Sequence, residues 1–179
     1  MSKQTEIRLG GSGGQGLILG GIILAEAAIL EDKNAVQAQS YGPEARGGAS
    51  KAEVIISDGD IDYPKVQKAD VFLALTQKAC DKYLPDLKMN GLLILDDKIE
   101  LNPTAYENFK VVKVPIIKTA VEDLKKGMVA NIVAMAVIQQ LTQVISKESL
   151  EAAVLKRVPK GTEELNKKAL VAGYELVKK

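Results

Sequence analysis

Two glycine-bearing segments hold most of the residues that could do chemistry. Gly11-Ser12-Gly13-Gly14-Gln15-Gly16 fits G-x-G-x-x-G. In that pattern glycines allow a tight turn, and bare backbone N–H groups can face an anion. A glycine turn that only packs a strand against a helix would read the same way. The second segment, Ser40-Tyr41-Gly42-Pro43-Glu44-Ala45-Arg46-Gly47-Gly48, joins a guanidinium able to grip phosphate or carboxylate to two glycines that permit close approach. Its plain alternative is a surface turn with a solvated arginine. Tyr41 is open to packing or to stacking on a ligand ring.

Residue types narrow the phosphate ligands. A nicotinamide site adds an acid about 20 positions on, at the end of the second strand, to hold the ribose hydroxyls. Here that stretch is Val36-Gln37-Ala38-Gln39-Ser40, without an acid. A P-loop needs Lys and Ser/Thr after its last glycine, but Leu17-Ile18 follow Gly16. NAD and ATP chemistry are both disfavoured.

The remaining candidates are weaker. Asp58-Gly59-Asp60 reads as a turn rather than a metal or thiamine-diphosphate site. Asp96-Asp97 ends an apolar strand, where paired acids cap a helix or turn more often than they hold a metal. With no histidine in the chain, Cys80 lacks an activating partner and reads as a small residue on a helix. One cysteine cannot hold an iron–sulfur cluster or a structural zinc.

The elements that must position these loops follow from hydrophobic pattern. Thr5 to Leu9 is strand-like, and the run from Leu17 to Leu30 is apolar or glycine except for Glu26. The glycine loop therefore joins a strand to a helix without a wet stripe, covered on several sides. A membrane span is the rival for that run, which is short for one and carries a glutamate. Strands are expected over Ala35–Gln39, Lys51–Ser57, Val71–Leu75, Leu92–Leu95 and Lys110–Val114. The continuous apolar runs at Val71 and Leu92 mark parallel strands buried on both faces. Helices are expected over Gln77–Leu87, Ile116–Lys126 and Met128–Ile145. Two more follow, Lys147–Val158 capped by Ser146 and Glu163–Lys178 capped by Thr162. The pattern predicts one domain over residues 1–179, a three-layer α/β/α fold with a mainly parallel, Rossmann-like sheet and a helical C-terminal part.

Composition excludes some function classes. Of 179 residues, 24 are basic and 23 acidic, so a formal charge of +1 gives no global field for nucleic acid or membrane. Hydrophobic residues at 46% suffice for a core. The N-terminus enters a strand without an apolar signal region, and a cytoplasmic location is expected.

Taken together, the two loops are similar to those of the gamma subunits of 2-oxoacid:ferredoxin oxidoreductases. The likeness continues through Ile56-Ser57-Asp58, Ile61-Asp62-Tyr63-Pro64, Ala69-Asp70-Val71, Gly91 to Asp96 and Val129-Ala130-Asn131, and so covers nearly the whole chain. Ile61 to Val66 looks most like the 2-oxoglutarate subclass, with pyruvate, branched-chain 2-oxoacid and indolepyruvate as alternative substrates. The resemblance implies a complex that decarboxylates a 2-oxoacid, transfers the acyl group to coenzyme A and sends two electrons to ferredoxin. It implies that thiamine diphosphate, Mg and iron–sulfur clusters lie on partner alpha, beta and delta subunits, and that this chain is inactive alone. Gly11, Gly13, Gly14, Gln15 and Gly16 would line the coenzyme A region, with Arg46, Gly47 and Gly48 as the facing wall and Tyr41 and Glu44 as neighbours. No nucleic acid or membrane partner is expected, and a homodimer is possible for the isolated chain. The rival is a stand-alone Rossmann-type nucleotide-binding module.

Overall fold

Alternation along the first strand assigns the two faces of the sheet. In β1 (Gln4–Gly11) Ile7 and Leu9 enter one core, while Arg8 between them turns to the other face, where it meets Val66 and Asp86. The computed structural model describes residues 3–40 and 48–178. Among these, β2 (Asn34–Gln39), β3 (Ser50–Ser57), β4 (Ala69–Ala74), β5 (Leu87–Asp96) and β6 (Lys110–Val114) complete one sheet in the order β2-β3-β1-β4-β5-β6. β1 pairs in parallel with β4, as do β4 with β5 and β5 with β6. Only β3 runs against the others, antiparallel to both β1 and β2. The expected mainly parallel sheet is found, with one reversed strand inserted beside β1.

Helices cover both faces. α1 (Leu17–Ile29), α5 (Ala130–Thr142), α6 (Lys147–Arg157) and α7 (Glu163–Leu176) close the core around Leu9, Val54, Val71 and Ile94. α2 (Gln77–Tyr83) covers the opposite core around Ile55, Phe72, Leu93 and Leu95, with α3 (Pro103–Asn108) beside it. α4 (Ile116–Lys118) joins the sheet to the C-terminal helices. Leu93, Ile94 and Leu95 are all solvent-free, as strands covered on both faces require.

Element ends depart from the expected bounds for local reasons. α2 stops at Tyr83 and Leu84–Asp86 tightens into a 3₁₀ turn, because Pro85 has no N–H to continue the helix. Leu87 then already belongs to β5. The helix expected from Ile116 to Lys126 is one turn that widens into a π-turn, Thr119–Asp123, before Lys125 takes a left-handed φ of 56°. α5 begins at Ala130 and ends where Gln143 turns left-handed, φ 50°. Ser146 caps α6 by accepting from the Ser149 N–H at 3.1 Å. Thr162 precedes α7 but its hydroxyl donates to the Pro159 carbonyl, 2.6 Å, instead of capping. Asn102-Pro103, a cap followed by a first-turn proline, starts α3, which hydrophobic periodicity does not reveal.

Candidate functional site

The glycine loop leaves the sheet at the carboxyl end of β1 and turns into α1. Its shape is set internally: the Ser12 N–H donates to Gln15 Oε1 at 2.8 Å, and the Gln15 N–H to the Ser12 carbonyl at 3.4 Å. Gln15 is thus committed to the turn. Gly14 and Gly16 have φ of 85° and 74°, where a side chain is strained. Gly16 is also pressed against α5, since Asn131 Nδ2 donates to its carbonyl at 3.2 Å and an added Cβ would lie 2.5 Å from that nitrogen. Asn131 is buried, with its Oδ1 accepting from the Ile132 N–H at 2.9 Å.

The β1/β3 register brings the second segment to the same edge. Gly11 pairs with Ser50 and Gly10 with Lys51, while Gln39 of β2 pairs with Ala52. The described end of the second loop, Gly48, is therefore two residues from a strand position hydrogen-bonded beside the glycine loop. Tyr83 of α2 fixes that end by donating its hydroxyl to the Ala49 carbonyl, 3.2 Å. Tyr41, Glu44, Arg46 and Gly47 lie outside the described residues.

A cleft of about 590 Å³ opens between these elements. Ser12, Gly13, Gly14 and Gly16 form its floor, Leu17, Ile18 and Ile22 of α1 its apolar wall, and Ser40, Ser50 and Lys51 the far side. Gly11 and Gln15 are not among its lining residues. α1 has no side-chain cap and no acid in its first turn, and its first intrahelical bond runs from Gly20 N–H to the Gly16 carbonyl. The N–H groups of Leu17, Ile18 and Leu19 are left for an outside acceptor, with the positive end of the helix dipole behind them. The site can hold an anion against backbone and an apolar body against α1.

Charge reaches this edge from residues that the motifs did not single out. Lys51 Nζ sits 2.6 Å from Glu53 Oε1, and the same oxygen is 3.5 Å from Arg8 Nε. Arg8 is 2% exposed. Its remaining nitrogens donate to the carbonyls of Val66 at 3.1 Å and Asp86 at 3.4 Å. The sequence signal was available: an arginine between Ile7 and Leu9 in a buried strand needs an acid, and Glu53 alternates onto the same face of β3. Asn131 offered a weaker signal, an amide at the start of an uncharged helix.

The other motifs are structural. Asp96 is buried at the end of β5, where Oδ2 accepts from the Ile117 N–H of α4 at 2.9 Å. Burial raises its carboxyl above the ordinary range, against the bonds from Ile117 and Lys98. Asp58-Gly59-Asp60 is a turn held by the Gly59 N–H on Ser57 Oγ, 3.1 Å. Cys80 is buried on α2, and burial, followed by the Asp81 charge, pushes its thiol up to about 11. Among the described residues no group of three or more His, Cys, Asp or Glu side chains is gathered as a metal ion would need. No helix among them is long and apolar enough to cross a membrane.

Comparison with known proteins adds to this geometry. The family model for pyruvate ferredoxin/flavodoxin oxidoreductase matches residues 6–176. The chain is 51% identical to 2-oxoglutarate synthase subunit KorC of Methanocaldococcus jannaschii, over 99% of this chain and 96% of that protein. Its fold superimposes on the gamma subunit of a keto/oxoacid ferredoxin oxidoreductase from Geobacter sulfurreducens, with TM-score 0.88 and 52% identity over 97% of this chain and 96% of that one. A 2-oxoglutarate:ferredoxin oxidoreductase from Magnetococcus marinus, solved with 2-oxoglutarate, coenzyme A and succinyl-CoA bound, shares the fold at TM-score 0.87 and 22% identity. That match covers 98% of this chain and 31% of the larger one.

Proposed function

The chain belongs to the pyruvate ferredoxin/flavodoxin oxidoreductase family, and we propose that it is the gamma subunit of a complex oxidising 2-oxoglutarate with coenzyme A and ferredoxin, in which its cleft receives coenzyme A. The observation that carries this reading is the meeting of an uncapped α1 N-terminus with an apolar wall in one cleft. Coenzyme A joins a pyrophosphate to a long, weakly polar arm, and those two surfaces suit its two parts. Gly13, Gly14 and Gly16 present backbone to the pyrophosphate, while Gln15 keeps the turn in shape. Arg46 falls in the chain between Ser40 and Ser50, both of which line the cleft. We infer that its guanidinium adds a charge-assisted contact to coenzyme A, and that Gly47, Gly48, Tyr41 and Glu44 contribute to the same binding.

2-Oxoglutarate is favoured by the name borne by the 51% identical relative. The decarboxylation itself falls to partner chains. Cys80 alone cannot carry a cluster, and the described acids are not gathered for a metal. Alpha, beta and delta partners would bring thiamine diphosphate, Mg and the clusters that pass electrons to ferredoxin.

The test is purification of the chain from its host under anoxic conditions. Larger subunits should accompany it, and the assembly should reduce ferredoxin only when 2-oxoglutarate and coenzyme A are both present, with pyruvate, branched-chain 2-oxoacids and indolepyruvate poorer substrates. Arg46→Ala in that assembly should raise the KM for coenzyme A about tenfold or more and that for the 2-oxoacid much less. A lone chain that binds NAD tightly would replace this reading with the independent nucleotide-binding module.

A further inference from the structure

A second cavity of about 300 Å³ adjoins the first and shares Ser40 and Lys51 with it. Ala38, Gln39, Glu53, Lys65 and Val66 complete its wall. The glycine loop and α1 take no part in it, so whatever it recognises is recognised by side chains.

Its charges are fixed from below. Glu53, itself 8% exposed, lies between Arg8 and Lys51. Arg8 is held by the Val66 and Asp86 carbonyls, and its Nε finds no hydrogen-bond acceptor among the described residues. The Asp86 carboxylate also lies 4.0 Å from Arg8, so Arg8 and Lys51 together balance Glu53 and Asp86, and the Lys51 ammonium stays at the cavity wall on Glu53. Lys65 makes no ion pair among the described residues and adds a second positive charge at the mouth. Three cations, Arg8, Lys51 and Lys65, then face two carboxylates, Glu53 and Asp86, and a cavity with that net positive charge and two lysine ammoniums in its wall suits an anion with several acceptor oxygens, as a phosphate monoester is.

We propose that Lys51 and Lys65 form a second anion subsite, distinct from the glycine loop, which binds a terminal phosphate monoester of the ligand whose inner phosphates lie at the α1 N-terminus. Two separate anion-recognising surfaces in adjoining cavities call for a ligand with two separate anionic groups. On the coenzyme A reading above, on which this inference rests, the glycine loop takes the pyrophosphate and the lysine subsite takes the 3′-phosphate of the ribose. Arg8 and Glu53 are positioning residues that hold Lys51 toward the shared wall.

The test compares coenzyme A with dephospho-coenzyme A, which lacks only that phosphate, in ferredoxin reduction by the assembled complex. The wild-type complex should favour coenzyme A in kcat/KM by about tenfold or more. Lys65→Ala should lower that ratio, Lys51→Ala/Lys65→Ala should bring it near one, and Lys65→Glu should turn it against coenzyme A. Lys65 is exposed, so its variants keep the measurement open if changing Lys51 prevents assembly. If the ratio in Lys65→Ala and Lys65→Glu equals that of wild type while coenzyme A remains required, the lysine subsite is refuted and the coenzyme A reading stands. If wild-type complex reduces ferredoxin without coenzyme A, both fall.

Discussion

Asn131 reaches across 115 positions of sequence to donate its side-chain amide to the carbonyl of Gly16, the residue at which the glycine loop becomes α1. α5 is buried along its length from Ala130 to Gln139, so its first turn is a rigid base for that contact. The N–H groups of α1 point where they do because the loop is pinned from behind by a core helix and closed in front by Gln15 on Ser12. Preorganised backbone donors spend little ordering entropy when an anion arrives.

The same contact predicts a coupling between two mutations. Gly16→Ala should destabilise the chain by roughly 2 kcal/mol or more, from positive φ and collision with Asn131 together. Asn131→Ala should cost about 1 kcal/mol, since the Gly16 carbonyl loses one of its two donors and keeps the Gly20 N–H. The double variant should cost less than the sum, because truncating Asn131 removes the obstacle met by the new methyl group. Urea unfolding of the four proteins measures the cycle; strict additivity would mean that the loop does not bear on α5.

The buried ion pair makes a second prediction, with an asymmetry. Glu53→Ala should cost about 3 kcal/mol, because it leaves the nearly solvent-free guanidinium of Arg8 with only the more exposed Asp86 carboxylate, 4.0 Å away. Arg8→Met should cost less, since Glu53 keeps Lys51 at 2.6 Å. Arg8→Met/Glu53→Leu should recover much of the loss of Glu53→Ala. The reverse order, with Arg8→Met the worse, would place the uncompensated charge on the glutamate.

How far these features could be read from sequence depends on whether their cause is local. Leu93-Ile94-Leu95 announces a doubly covered strand by itself, and Ser146 announces a cap, because burial pattern and hydroxyl position are written in consecutive residues. The glycine loop was legible as a strand-to-helix turn for the same reason. Gln15 was legible as a member of the motif but not as its internal brace, since that role rests on a rotamer that folds the amide onto Ser12. The reversal of β3 was hidden: Lys51 to Ser57 alternates identically in either direction, and only pairing with Gln4–Gly11 decides it. Lys51, Glu53 and Arg8 meet through that pairing, so no window of the chain shows them together. α3 was missed because six residues carry too little periodicity, although Asn102-Pro103 marked its start.

Acid should loosen the joint between α1 and α6. Glu31, just beyond α1, accepts from the Ser146 N–H at 2.5 Å and pairs with Lys33 at 3.2 Å. Burial pushes its carboxyl up, but the bonds from Ser146, Ser149 and Lys33 outweigh it and bring the pKa down to about 2 from 4.5. A folded-state value below the unfolded one means that stability is fully present above about pH 4.5 and drains away as pH falls toward 2. With solvent screening, the contribution is on the order of 1 to 2 kcal/mol. Urea midpoints at pH 7 and pH 3 should differ more for wild type than for Glu31→Gln; equal pH slopes would remove Glu31 from the account.

Cys80 allows a test of whether the chain keeps its one thiol out of chemistry. It is 1% exposed on α2, and burial raises its pKa to about 11, so at pH 8 only about one thiol in a thousand is ionised before access is considered. A thiol-exchange reagent should therefore label the native chain more than about a hundredfold more slowly than the urea-unfolded chain. Labelling of native protein should follow the opening of α2 rather than the thiolate fraction, and should slow when the core beneath it is stabilised. Cys80→Ala should cost only about 1 kcal/mol, as expected for a small buried group. Ferredoxin reduction by the assembled complex should survive that substitution. Fast labelling of folded protein, with loss of activity in Cys80→Ala, would move Cys80 from packing to chemistry and would require a route from α2 to the reacting groups that the buried position does not offer.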